Sequence, residues 1–137
     1  MAAPAALRTL FCATLILLLA KGSVQCTLDD IDISQDETGK QVEGKPEYKV
    51  TVNNECECTH WNLTLSCPGF NTVEKVDPLI LRPNGSGSCL LKNGTAFYGF
   101  ASLSFTYAWE TPTSFTPESS NNTCPGTNRF GFRDGHY

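Results

Sequence analysis

Cys26, Cys56, Cys58, Cys67, Cys89 and Cys124 limit what this chain can become more than any other feature. An even set of thiols in an exported protein is closed into disulfides, whereas the same set in a reducing compartment points to metal or redox chemistry. Compartment is therefore the first question. The N-terminus answers it with Arg8, an apolar run from Leu10 to Ala20, and then small and polar residues. That is the pattern of a secretory signal peptide, with cleavage expected between residues 22 and 26. The run of eleven residues is too short to cross a bilayer about 30 Å thick at roughly 1.5 Å per residue, so no membrane anchor is expected. Removal of residues 1–25 also removes Cys12, the seventh cysteine, and leaves six.

The spacing within "NNECECTHWNLTLSC" has competing readings. Cys56, Cys58 and His60 occupy alternate positions, so in an extended chain they face the same way and could converge on a metal. A zinc site would need a fourth ligand and wider cysteine spacing. Export favours three disulfides, and no metal or cofactor is implied. Cys56 and Cys58 sit at the upper limit of bridgeable separation and point the same way, so each should bond a different segment. Twelve of the fifteen pairings of six cysteines survive that exclusion. His60 then becomes an exposed strand residue beside the cluster.

About 112 residues follow the leader, enough for one domain, expected over 26–124, with a mobile tail over 125–137. From Cys26 onward eight Lys and Arg face fourteen Asp and Glu, with no basic run to follow a phosphate backbone. Nucleic acid is excluded as a partner on that ground.

Apolar residues alternate with period two. Ile31 and Ile33 share a face, as do Tyr48, Val50 and Val52; Trp61, Leu63, Leu65 and Cys67; and Ala101, Leu103, Phe105, Tyr107 and Trp109. "QDETGKQVEGKPE" has the chemistry of a loop, "TPTSFTPESSNNTC" is rich in turn residues, and Leu79 to Leu81 between Pro78 and Pro83 suits an edge strand. Asn93-Gly94 predicts a type I′ hairpin, and Gly99 a bulge. About seven short strands with no helical period give an all-β chain, an antiparallel β-sandwich first and an open β-barrel second. Four N-x-Ser/Thr sequons, at Asn62, Asn84, Asn93 and Asn121, fit a secreted glycoprotein.

The ordered blocks "CTLDDIDISQDETGK", "GKPEYKVTVNNECEC", "LTLSCPGF", "VDPLILRP", "CLLKNG" and "FTYAW" resemble the tapetum-determinant family of small secreted cysteine-rich plant proteins. The resemblance covers residues 26 to 109, with the six cysteines in matching order. It implies an apoplastic ligand for the ectodomain of a leucine-rich-repeat receptor kinase, acting in cell-fate signalling in the anther (tapetum) and ovule. Founding members carry a longer segment, with a dibasic processing site, ahead of the cysteine domain. Here Cys26 follows the leader directly, so no propeptide step is expected.

No catalytic function is expected. Asp30 and Asp32 have the Asp-x-Asp spacing of metal-binding glycosyltransferases, but a chain this short has no room for a nucleotide-sugar domain, and the pair fits the outer face of a strand. His60 and His136, the only histidines, lack a neighbouring nucleophile and orienting acid. Recognition is expected on loops, with Asp36 to Glu47 and Asp77 to Ser88 as candidates. The alternative is an extracellular carbohydrate- or wall-binding sandwich that stacks sugars on Trp61, Tyr98, Phe100 or Trp109. Both tryptophans fall in inward registers, so the exposure of Tyr98 and Phe100 is the informative observation.

Overall fold

The computed structural model describes residues 25–125; residues 1–24, where the signal peptide is expected, and 126–137, most of the expected tail, lie outside it. A 3-10 turn, Leu28–Asp30, precedes seven strands: β1 Ile31–Val42, β2 Lys45–Asn54, β3 Thr59–Ser66, β4 Leu81–Pro83, β5 Ser88–Leu91, β6 Ser102–Ala108 and β7 Thr116–Thr123. They form two antiparallel sheets, three-stranded in the order β1-β2-β6 and four-stranded in the order β4-β5-β3-β7. The architecture is an antiparallel β-sandwich, as the period-two pattern predicts.

Tyr48, Val50, Val52, Phe105 and Tyr107 from the first sheet meet Leu63, Leu65, Leu81 and Leu91 from the second, with Phe97 and Phe115 closing the core. Each such side chain contributes about 1.5–3 kcal/mol on leaving water. Tyr107 keeps its hydroxyl satisfied inside: it donates to Gln35 Oε1 and accepts from Thr113 N at 2.8 Å, while Gln35 Nε2 donates to Thr113 O at 2.9 Å. This network ties the β6–β7 connection to the edge strand β1.

Several expectations are corrected. Residues 36–47 are not a loop: β1 and β2 continue as a paired ribbon, interrupted by a bulge of Thr38, Gly39 and Lys40 opposite Glu47. The ribbon closes at Glu43 (φ 51) and Gly44 (φ 80), so the tight hairpin turn with two positive φ angles lies here. Asn93-Gly94 is not a hairpin, because β5 and β6 belong to different sheets; Lys92–Gly94 is instead a short turn with φ of 55, 54 and 79. The turn-rich segment before Cys124 is strand β7 over Thr116–Thr123, paired with β3. Its side chains are almost all exposed, so it carries no apolar alternation to read. The proline-flanked run supplies an edge strand, shifted to Leu81–Pro83.

The register of β3 differs as well. Asn62 adopts φ 52, and the β3–β7 ladder slips between Trp61 and Thr64. One extra residue reverses which face the preceding side chains occupy. Trp61, expected inside, is 41 % exposed, and His60, expected outside, is fully buried.

Candidate recognition surfaces

Three disulfides select one pairing: Cys26–Cys56, Cys58–Cys124 and Cys67–Cys89. Cys56 and Cys58 bond different segments. The first two bridges lie side by side at one end of the sandwich, where the sulfurs of Cys26, Cys58 and Cys124 fall within 4.8 Å of one another. That convergence is two stacked cystines, whose sulfurs are not free thiolates and do not chelate. Asp30 is drawn away from the Asp-x-Asp reading too: it ends the 3-10 turn, and its Oδ2 accepts from Thr27 N at 2.9 Å in a capping box, while Asp32 points to solvent from β1.

Asn54, which sequence reasoning passed over, organises the same end. It continues the inward register of Tyr48, Val50 and Val52, so a polar residue in an apolar series was the available signal. Only 1 % exposed, it donates from Nδ2 to the carbonyls of Cys58 (2.8 Å), Phe97 (3.3 Å) and Tyr98 (3.1 Å), and accepts from Cys56 N at 3.2 Å. One amide thereby satisfies backbone of both the β2–β3 connection and the loop 95–101. Gly99 lies so close to Glu57 that a Cβ there would stand 2.8 Å from the Glu57 Cα, and Phe100 takes φ 61. Gly99 therefore marks a close backbone approach within a turn and not a bulge. The loop holds Tyr98 and Phe100 at 63 % and 71 % exposure, and Lys92 Nζ stands 6.0 Å from the Tyr98 ring centre.

Behind this loop His60 is sealed. Its Nδ1 pairs with Ser120 Oγ at 2.7 Å, and its Nε2 is buried with no partner. A proton on Nδ1, donated to Ser120, leaves only a lone pair unmatched; the other tautomer would bury an orphan N–H. Burial holds the imidazole pKa below its ordinary value of 6.5, and the charge of Asp30 only partly opposes this.

The three-stranded sheet presents a different surface. Its outer face is built from the cross-strand rows Asp32–Asn53–Ser102, Ser34–Thr51–Ser104 and Asp36–Lys49–Thr106. Short polar side chains dominate, and acids cluster along β1. At the margin Glu47 and Glu74 face each other. Burial and the neighbouring Glu47 push the Glu74 carboxyl up, while the Thr38 hydroxyl, donating at 2.7 Å, draws Glu47 down. Glu74 is thus the member that holds a proton first. Its second oxygen accepts from Thr106 Oγ1 at 3.0 Å.

All four sequon asparagines are exposed, and all lie on or beside the four-stranded sheet: Asn62 within β3, Asn84 in the β4–β5 turn, Asn93 directly after β5, and Asn121 within β7. None lies on the three-stranded sheet. The candidate segment Asp36 to Glu47 is the sequon-free ribbon; Asp77 to Ser88 contains β4 and the Asn84 turn.

The profile of the family described as "Tapetum determinant 1, C-terminal" matches residues 27–125. The chain belongs to the tapetum determinant 1 family. That match takes in all seven strands and five of the six paired cysteines, beginning one residue after Cys26, and includes the β7 segment beyond residue 109. Among relatives of this tapetum determinant chain is "TPD1 protein homolog 1" from Arabidopsis thaliana, 34 % identical over 85 residues, covering 61 % of this chain and 48 % of that protein. "TPD1 protein homolog 1B" from Oryza sativa subsp. japonica is 30 % identical over 84 residues, covering 61 % of this chain and 50 % of its own length. The chain spans about half the length of these curated relatives. No solved structure matches it.

Proposed function

We propose that this tapetum-determinant protein is exported to the apoplast and acts there as a ligand for the ectodomain of a leucine-rich-repeat receptor kinase, in cell-fate signalling of the anther type. Family membership over residues 27–125 supports the reading, together with the leader and the six paired cysteines. The observation that carries the contact surface is the asymmetry between the sheets: four sequons on or beside one and none on the other. The sequon-free sheet offers a flat face of small hydroxyl and amide groups beside an acidic strand. It suits a partner surface with basic side chains, whose charge steers encounter. Its rigid backbone loses little freedom on binding.

The test is binding of the secreted full-length chain to a panel of such ectodomains by interferometry. Saturable binding to at least one is expected, weakened at least about tenfold by Thr51→Arg with Ser104→Arg and unchanged by Asn84→Gln. No saturable binding across the panel would remove the reading; loss caused by Asn84→Gln alone would move the contact to the other sheet. A second reading, an extracellular carbohydrate- or wall-binding module, is favoured by the exposed Tyr98 and Phe100. Retention on insoluble wall polysaccharide, lost in Tyr98→Ala with Phe100→Ala, is its test.

A further inference from the structure

The slip at Asn62 leaves Trp61 outside the core at a specific address. Its cross-strand partner is Asn121, the acceptor position of the Asn121-Asn122-Thr123 sequon, and Trp61 Nε1 donates to Thr123 Oγ1 at 3.4 Å. The indole therefore lies along the sequon from its first residue to its third. Directly opposed residues in an antiparallel pair hold their Cβ atoms about 4.5–5.5 Å apart, which puts the first sugar on an Asn121 glycan within reach of the ring. The other three sequons lack such a neighbour across a ladder. Asn62 Oδ1 lies against Gly94, only 2.7 Å from where a Cβ would stand. Asn84 Oδ1 accepts from Ser86 N and Ser88 N, and Asn93 occupies the left-handed turn.

We propose that Asn121 is N-glycosylated and that the first N-acetylglucosamine packs its C–H face on the Trp61 indole. The electropositive hydrogens of the sugar meet the electronegative ring face, and the contact covers apolar surface that is otherwise bare. In the transfer step a lipid-diphosphate-linked oligosaccharide in the secretory lumen is the donor. The Asn121 Nδ2–C1 bond forms, the C1–O bond to the diphosphate breaks, and the amide proton leaves to the transferring enzyme's base. The proposal rests on export, the localisation given above, and is independent of any receptor.

The experiment is a cycle of four full-length chains, wild type, Trp61→Ala, Asn121→Gln and the double variant, expressed in a eukaryotic secretory host. Site-resolved mass spectrometry reads occupancy and thermal melting reads the coupling. Asn121 is expected to carry glycan, and Trp61→Ala to lower Tm by about 3 °C in the wild-type background and by under about 1 °C in the Asn121→Gln background. The lost Thr123 hydrogen bond is common to both arms and cancels. Trimming to a single N-acetylglucosamine should leave the coupling intact; its disappearance would rule out the first-sugar contact. Exported chain with Asn121 unmodified, or equal Tm losses in both backgrounds, overturns the proposal while leaving export standing. Failure of the chain to enter the secretory route overturns both.

Discussion

In the three-stranded sheet Tyr48, Val50 and Val52 pair with Tyr107, Phe105 and Leu103 without a slip, whereas in the four-stranded sheet β3 slips twice against β7 within six residues. The first sheet has one bridge, Cys26–Cys56, beyond the paired ends of β1 and β2; the second has two, Cys58–Cys124 beyond the paired ends of β3 and β7, and Cys67–Cys89, which ties the end of β3 to β5. Regular alternation is enough to align strands when each carries several apolar side chains on one face. β7, with one proline and mostly small polar residues, carries too few, and a covalent bond at its end stands in for the missing burial.

The largest effect that would sharpen this contrast is expected from Cys58→Ser with Cys124→Ser. That bridge closes 66 residues of sequence, against 22 for Cys67–Cys89, and chain-entropy arithmetic gives about 4 against about 3 kcal/mol. The double variant should be poorly secreted, and hydrogen exchange on recovered protein should show β7 amides losing protection before those of β2. Simultaneous loss across both sheets would break the contrast. Next comes Asn54→Ala, expected to cost about 1–3 kcal/mol, because it strips partners from buried carbonyls on two segments. Urea denaturation checks it, and a change below about 0.5 kcal/mol would mean that the clamp is dispensable.

A smaller loss, about 1 kcal/mol, is expected from Gly44→Ala. Nothing stands within 4 Å of the new methyl, so the cost is the φ of 80 alone. A Tm equal to wild type would show that the ribbon tip relaxes freely. The last effect is a slope with pH. Because burial lowers the folded pKa of His60 below the unfolded 6.5, its contribution to stability is complete above that value and is lost as pH falls through the window beneath it. His60→Gln should flatten that limb of a Tm-against-pH curve. An unchanged limb would assign the acid sensitivity elsewhere, and the carboxyl pair Glu47–Glu74 is the next group to vary.

The same contrast explains what was legible in the sequence. Strands β2 and β6 follow from alternation alone, as does the sandwich they help to build. Asn62 defeats that reading: a single left-handed residue exchanges the fates of His60 and Trp61, and nothing in "THWNLTLS" distinguishes it from an ordinary strand position. The ribbon over 36–47 was hidden because a two-stranded extension with solvent on both faces has no apolar face to display. Disulfide pairing is a property of the folded geometry, which cysteine spacing narrowed without selecting. Asn54 was readable in principle, since an amide in an inward register calls for carbonyls to receive it.

Cys26 and Cys124 begin and end the sandwich, and their sulfurs lie within one 4.8 Å cluster, with Asn122 Nδ2 donating to Cys26 O at 2.9 Å. Entry and exit of the sandwich are thus neighbours, far in sequence from the Glu43–Gly44 tip. A few glycines could join the two ends and the backbone could be reopened at that tip, giving a circular permutant with the core order intact. Such a permutant could carry a reporter at the hairpin while leaving the cystine pair undisturbed.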